Sequence, residues 1–259
     1  MIITLPELLG GKATRIKNND YFSTEQYVTP FLDRMSKYTD DFRVQVKLPD
    51  QITKTVDGSI NMDDITFNRV NIEAILPDEY EYLGHKRVVG FVYALDTRKP
   101  VVKQYVGALR SACLNLCVFN PDALSVQLLE PEMPIDYSFL INCMSITDNI
   151  NSMLTSISKM EFSKEECFKE LGMWVNNCLN PKKNYYCSAG GKVKLPETLP
   201  VDVYKNLFYN DKSEYYSSEG FTNGFNIYNA FTDIICNNKR ADIVNRFEKT
   251  YLVKEIMGI

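Results

Sequence analysis

Lys86, Arg87, Arg98, Lys99, Lys103 and Arg110 punctuate two strand-like apolar runs and flank Tyr93 and Tyr105. Cationic side chains hold phosphates and tyrosine rings stack on bases, so the chemistry this set would do is capture of a single-stranded nucleic acid. The same residue types have a second reading of equal physical standing. Lys and Arg along a strand edge keep it from pairing with another chain, and tyrosines in strands are often core or rim residues.

Other constellations lead less far. His85 is the single histidine, which excludes a metal site built on several imidazoles and leaves any nucleophile one base to draw on. Its place beside Gly84 and Lys86, where a loop meets a strand, suits a structural histidine. Cys113 and Cys117 are one helical turn apart, a spacing that offers two thiolates to a soft metal, yet no second Cys/His pair with regular spacing completes a site. Both are expected to be buried small apolar residues. Asp63, Asp64, Glu73, Glu130, Glu132 and Asp136 carry no spacing that demands magnesium, and acids so placed are usually solvated faces or caps. Gly10-Gly11-Lys12 and Gly190-Gly191-Lys192 lack the remaining glycine and the Ser/Thr of a phosphate loop. The expectation is a chain with no catalytic residues, no metal and no cofactor.

The elements that must position these residues begin after an N-terminal arm, residues 1–20. Ser23 and Gln26 make a capping-box pattern, followed by Tyr27, Phe31, Leu32, Met35 and Tyr38 at helical spacing, with Pro30 as a kink. Phe42 to Leu48 alternates apolar and polar as a strand does, and 65–76 changes phase near Asn68 or Arg69, which predicts a bulge. Val88 to Leu95 and Val101 to Val106 form a hairpin with a basic tip, and Leu124 to Leu129 adds a strand. Ala108 to Phe119 fits helix or strand equally.

From 135 onward the periodicity turns helical. Phe139, Cys143, Ile146, Ile150, Met153, Ile157 and Met160 share one stripe, which reads as a core face or as an oligomer seam. Ser163 and Glu166 form a second capping box ahead of Cys167, Phe168, Leu171, Trp174, Val175 and Cys178. Asn180 to Pro200 is a lysine- and tyrosine-bearing loop, Tyr204 to Phe208 a short helix, and two terminal helices follow over 226–236 and 242–256. The fold class is α+β: an N-terminal helix, an antiparallel sheet over about residues 42–129, and a helical C-terminal half packed on it, residues 21–259 forming one domain.

With 259 residues, 45% hydrophobic, the chain can bury a substantial core. A formal charge of −4 gives no general attraction to phosphate, so nucleic-acid binding would require a local basic face. Seven cysteines at irregular spacing fit reduced, buried thiols. No run approaches the roughly 20 apolar residues of a membrane span and the N-terminus lacks signal-peptide features, so the expected location is the cytoplasm of a host cell, away from membranes.

Two short elements carry a family resemblance. Arg110-Ser111-Ala112-Cys113-Leu114-Asn115 after a strand pair, and Tyr228-Asn229-Ala230-Phe231-Thr232-Asp233 near the end, resemble the phage- and plasmid-encoded family catalogued as domain of unknown function 932. The chain departs from it where members carry a polar turn between the strands, here Ala94-Leu95-Asp96-Thr97-Arg98, and where a histidine follows the second element, here Asn237-Asn238. The resemblance implies a bacteriophage or mobile-element protein of a bacterial host and supplies no activity. The leading expectation is thus a non-enzymatic protein that binds single-stranded nucleic acid in replication or recombination. The alternative is a virion or host-interaction protein working through protein contacts, as a homo-oligomer or with another phage or host protein.

Overall fold

The structure, a computed structural model, describes residues 2–3, 14–15, 21–22, 27–47, 69–83, 85–96, 101–110, 116–117, 124–128, 134–138, 143–179, 186–187, 191–192, 195–237, 246, 249–250, 252–253 and 256–258. In chain order the strands are β1 (Ile2–Ile3), β2 (Thr14–Arg15), β3 (Tyr21–Phe22), β4 (Asp41–Lys47), β5 (Arg69–Ile75), β6 (Tyr80–Tyr82), β7 (His85–Asp96), β8 (Val101–Arg110), β9 (Leu116–Cys117), β10 (Leu124–Leu128), β11 (Glu161–Ser163), β12 (Tyr186–Cys187), β13 (Gly191–Lys192) and β14 (Phe221–Asn223). The helices are α1 (Thr29–Met35), α2 (Cys143–Ser158), α3 (Lys164–Leu179), α4 (Leu199–Phe208) and α5 (Gly224–Cys236). The chain is α+β. It divides into two compact units: Met1–Glu79 with Val88–Val106 and Leu124–Asn142, and Tyr80–Arg87 with Gly107–Ala123 and Cys143–Ile259.

In the first unit the strands run β1-β4-β5-β7-β8-β10. The N-terminal arm contributes β1, paired antiparallel with β4. β4 and β5 pair without a slip from Asp41↔Ile75 to Lys47↔Arg69, so Arg69 carries no bulge, and Asn68 lies outside the described residues. The ladder continues from β5 to β7 in unbroken antiparallel register. α1 starts at Thr29, with Pro30 in its first turn, where a missing N–H breaks no bond, rather than at a kink. The Ser23–Gln26 box lies outside the described residues. Phe31, Leu32 and Met35 of α1 are buried, and Thr39 ties the helix exit to the sheet by donating to the Ile75 carbonyl.

In the second unit β6 turns tightly into the start of β7, and β9 folds back on the end of β8, Ala108↔Cys117. Cys117 is therefore on a strand, and Cys113 lies outside the described residues. α2 buries Ile150, Leu154 and Ile157, with Met153 half-buried. Met160 lies beyond the helix end and is partly exposed, and Phe139 lies outside the described residues. Cys167, Trp174 and Cys178 form the buried stripe of α3, and Trp174 meets Phe231 of α5 edge-on at 5.9 Å between ring centres. Among the described residues no helix is long and apolar enough to cross a membrane.

Gly224 marks the closest approach in this unit. A Cβ placed there would stand 2.5 Å from the Ile157 carbonyl oxygen, and the Gly224 N–H donates to the Met160 carbonyl at 2.8 Å. Backbone cannot swing aside as a side chain can, so Gly224→Ala should destabilise the protein by about 1–3 kcal/mol, the range for overpacking. The measurement is a urea unfolding curve, expected to show a lower midpoint at unchanged slope.

Candidate binding surface

Three of the residues considered for stacking and phosphate capture are enclosed. Tyr93 and Tyr105 are 0% and 2% exposed and Arg87 is 0% exposed, so none of the three is open to a ligand in the folded chain. The physical reason for Tyr93 is its cover: its ring stacks on Phe31 of α1 at 4.8 Å and its hydroxyl donates to the Tyr27 carbonyl. Burial, with Tyr137 and Tyr27 nearby, holds the Tyr93 phenol well above its ordinary pKa. In the second unit the Arg87 guanidinium lies over the Phe225 ring, 5.6 Å from its centre. These three side chains belong to cores. Lys86 is exposed and Lys103 half-buried. Arg98 and Lys99 lie outside the described residues, as does the side chain of Arg110.

The acids considered for magnesium have local work. Glu73 lies 3.8 Å from Arg43, and Asp136 accepts from the Ser138 N–H at 2.8 Å, which lowers its pKa. Asp63, Asp64, Glu130 and Glu132 lie outside the described residues. His85 opens β7 opposite Tyr82. Burial pushes the Cys167 thiol up to about 12 and the Cys178 thiol up to about 11, so both stay protonated and inert as nucleophiles at neutral pH.

A different surface emerges in the second unit, where the starts of α3 and α5 meet. β11 and β14 form a two-stranded antiparallel ladder, Glu161↔Asn223, Phe162↔Thr222 and Ser163↔Phe221, and each strand runs straight into a helix. Ser163 caps α3: the Glu166 N–H donates to its Oγ at 3.2 Å, and the Ser163 N–H donates to the Glu166 carboxylate at 2.7 Å. Asn223 caps α5, its Oδ1 accepting from the Asn226 N–H at 2.9 Å. With both exits fixed, Phe221 and Thr222 have no freedom to exchange faces. Phe221 is 64% exposed while Thr222 is 7% exposed, and the Thr222 hydroxyl has no hydrogen-bond partner among the described residues. The strand is inside out.

Two further aromatics of this unit are exposed. Phe168, 62% exposed, meets Tyr204 edge-on at 5.9 Å, and Tyr204 in turn lies 5.9 Å from the ring of Tyr209, which is 66% exposed. Lys164 bridges them to the ladder: its Nζ sits 4.0 Å from the Tyr209 ring centre, and its N–H donates to the Gly220 carbonyl at 2.8 Å. The surround is acidic. Residues 161–179 and 195–223 hold nine Asp and Glu against four Lys and no Arg. Glu161, Glu165, Asp211 and Glu219 are exposed.

Sequence reasoning assigned Phe168 to the apolar stripe of α3, but the buried positions are 167, 174 and 178, and Phe168 is one residue, about 100°, off that line. Its offset was the available signal. Tyr209 lies just past the end of α4, and the inversion at Phe221 had no signal in the sequence. Comparison with protein-family models, with curated proteins and with solved structures finds no match to this chain.

The capping box that holds this surface together gives a direct test. Ser163→Ala should cost about 1 kcal/mol through loss of the cap. The Glu166 pKa is lowered first by the Ser163 backbone N–H and then by the Ser163 side chain. A depressed folded-state pKa means stability that is present above the ordinary carboxylate range and lost as pH falls through the lowered value. Unfolding midpoints of wild type and Glu166→Gln across pH 7 to 2 should converge at the acid end, where both side chains are neutral.

Proposed function

We propose that this chain is a binding protein that works through protein–protein contacts, with the aromatic surface at the β11–β14 ladder as its contact face. The observation that carries this reading is the exposed set Phe168, Tyr209 and Phe221, with a buried threonine where the strand's apolar residue would ordinarily lie. Burying one such ring is worth roughly 1.5–3 kcal/mol, and several left open together offer a partner a strong contact in a small area. Single exposed apolar side chains need no such explanation, but Phe168 and Tyr209 are joined through the Tyr204 ring, and linked exposed rings of this kind favour a contact role.

The resemblance noted in the sequence implies a bacteriophage or mobile-element protein, so the partner is another phage protein, a host protein or a second copy of this chain. Nucleic-acid binding in replication or recombination is the competing reading. Lys86, Arg98, Lys99, Lys103 and Arg110 still stand for it as cations, but Tyr93 and Tyr105 no longer supply stacking rings.

Two measurements decide between them. A photo-crosslinking phenylalanine analogue placed at position 168 or 221, in bacteria expressing the full chain, should yield protein adducts that the same analogue at Tyr38, exposed in the first unit, does not. Adducts to nucleic acid, or none at either position, would sink the protein-contact reading. Titration of labelled single-stranded DNA at two salt concentrations should show no salt-dependent binding. Tight binding that weakens steeply with salt and is lost in Lys86→Ala/Lys103→Ala would reinstate the nucleic-acid reading.

A further inference from the structure

We infer that the partner presented to this surface is a basic segment, with Lys or Arg side chains interspersed among apolar ones. The inference rests on the protein-contact reading and adds the chemistry of the occupant. Its first support is charge complementarity. Glu161 lies on β11, Glu165 follows Lys164, Asp211 comes two residues after Tyr209, and Glu219 two before Phe221; exposed Lys169 follows Phe168 and Lys212 follows Asp211, but nine acids against four lysines leave the segments that carry exposed rings negative on balance. Among the described residues none of these four acids has an ion-pair partner. A phosphate backbone or an acidic peptide brought here would meet like charge, whereas a basic segment meets unspent carboxylates at a rim, where such complementarity guides encounter and excludes wrong partners.

The second support is the behaviour of the rings themselves. The Lys164 ammonium already lies 4.0 Å from the Tyr209 ring centre and 5.9 Å from that of Phe208, so this aromatic cluster accepts a cation over its faces. Phe168 and Phe221 carry no such cation among the described residues, and their exposed faces offer the same quadrupole to a partner's Lys or Arg. Apolar side chains of the segment would cover the ring edges, and its charges would meet the rim.

The test uses the full chain and a short labelled peptide of alternating Lys and Leu, followed by fluorescence anisotropy. A Glu/Leu peptide of the same length and an oligothymidine serve as competitors. The Lys/Leu peptide should bind, with affinity that falls as salt rises. Its affinity should drop about tenfold in Phe168→Ala/Phe221→Ala, as expected for a contact hot spot, and similarly in Glu165→Lys/Glu219→Lys. All four positions are exposed, and circular dichroism melts confirm that each variant folds; the charge pair keeps the test open if the ring pair does not. Equal binding of the Glu/Leu peptide, no effect of either variant, or no binding of the Lys/Leu peptide would overturn the inference. A dimer of the free chain that sediments as monomer in the same variants would make the occupant a second copy, and overturn it as well. Protein crosslinks from positions 168 and 221 without peptide discrimination would leave the protein-contact reading standing and remove the basic segment. Absence of both would remove the two together.

Discussion

The short ladder between Glu161–Ser163 and Phe221–Asn223 is the constraint on which the second unit depends. Three residue pairs are too few to stand alone in water, so the ladder survives only through what closes its two ends. At one end the Gly224 N–H reaches the Met160 carbonyl, an approach that any Cβ at position 224 would block; at the other, the Lys164 N–H reaches the Gly220 carbonyl. Each strand then passes directly into a capped helix. α3 and α5 consequently start from one fixed point, and their buried faces meet through Trp174 and Phe231. The faces of β14 are set by that geometry and not by the polarity of its side chains, which is how a phenylalanine comes to lie outward and a threonine inward.

The first unit shows the opposite relation between composition and environment. A stretch rich in Lys and Arg, with tyrosines between them, has the composition of a phosphate-binding sheet, yet its rings are interior. Strands paired on both sides expose no backbone edge, and when a helix such as α1 lies over them even a tyrosine is enclosed, its hydroxyl satisfied by a carbonyl, here that of Tyr27. Gln127 plays a comparable part at β10: its side chain donates to the Pro134 carbonyl and accepts from the Asp136 N–H, both at 2.8 Å, holding the following segment in place. The Arg43–Glu73 pair adds little to this, since one partner is 42% exposed and such pairs are worth at most about 1 kcal/mol.

The two surfaces differ in what a ligand would meet. In the first unit Tyr93 and Tyr105 are enclosed; around Lys164 in the second the rings of Phe168 and Tyr209 are open and the charges are mostly acidic. Capture of a single-stranded nucleic acid combines cations with stacking rings, and Tyr93 and Tyr105 are too enclosed to supply the rings.

By itself the sequence determined the local devices. The Ser163–Glu166 box, the helix that follows it, and the strands at 88–95, 101–106 and, up to Leu128, 124–129 all follow from side chains within a few residues of one another, and all are present in the structure, although of the expected α3 stripe only Cys167, Trp174 and Cys178 are buried. The division into two units, the covering of Tyr93 by α1, the strand state of Cys117 and the outward turn of Phe221 were decided only by the tertiary structure. Spacing records which residues share a face, but whether that face is covered depends on elements far away in the chain. A tyrosine under a helix and a phenylalanine at an open ladder cannot be told apart until those distant elements are in place.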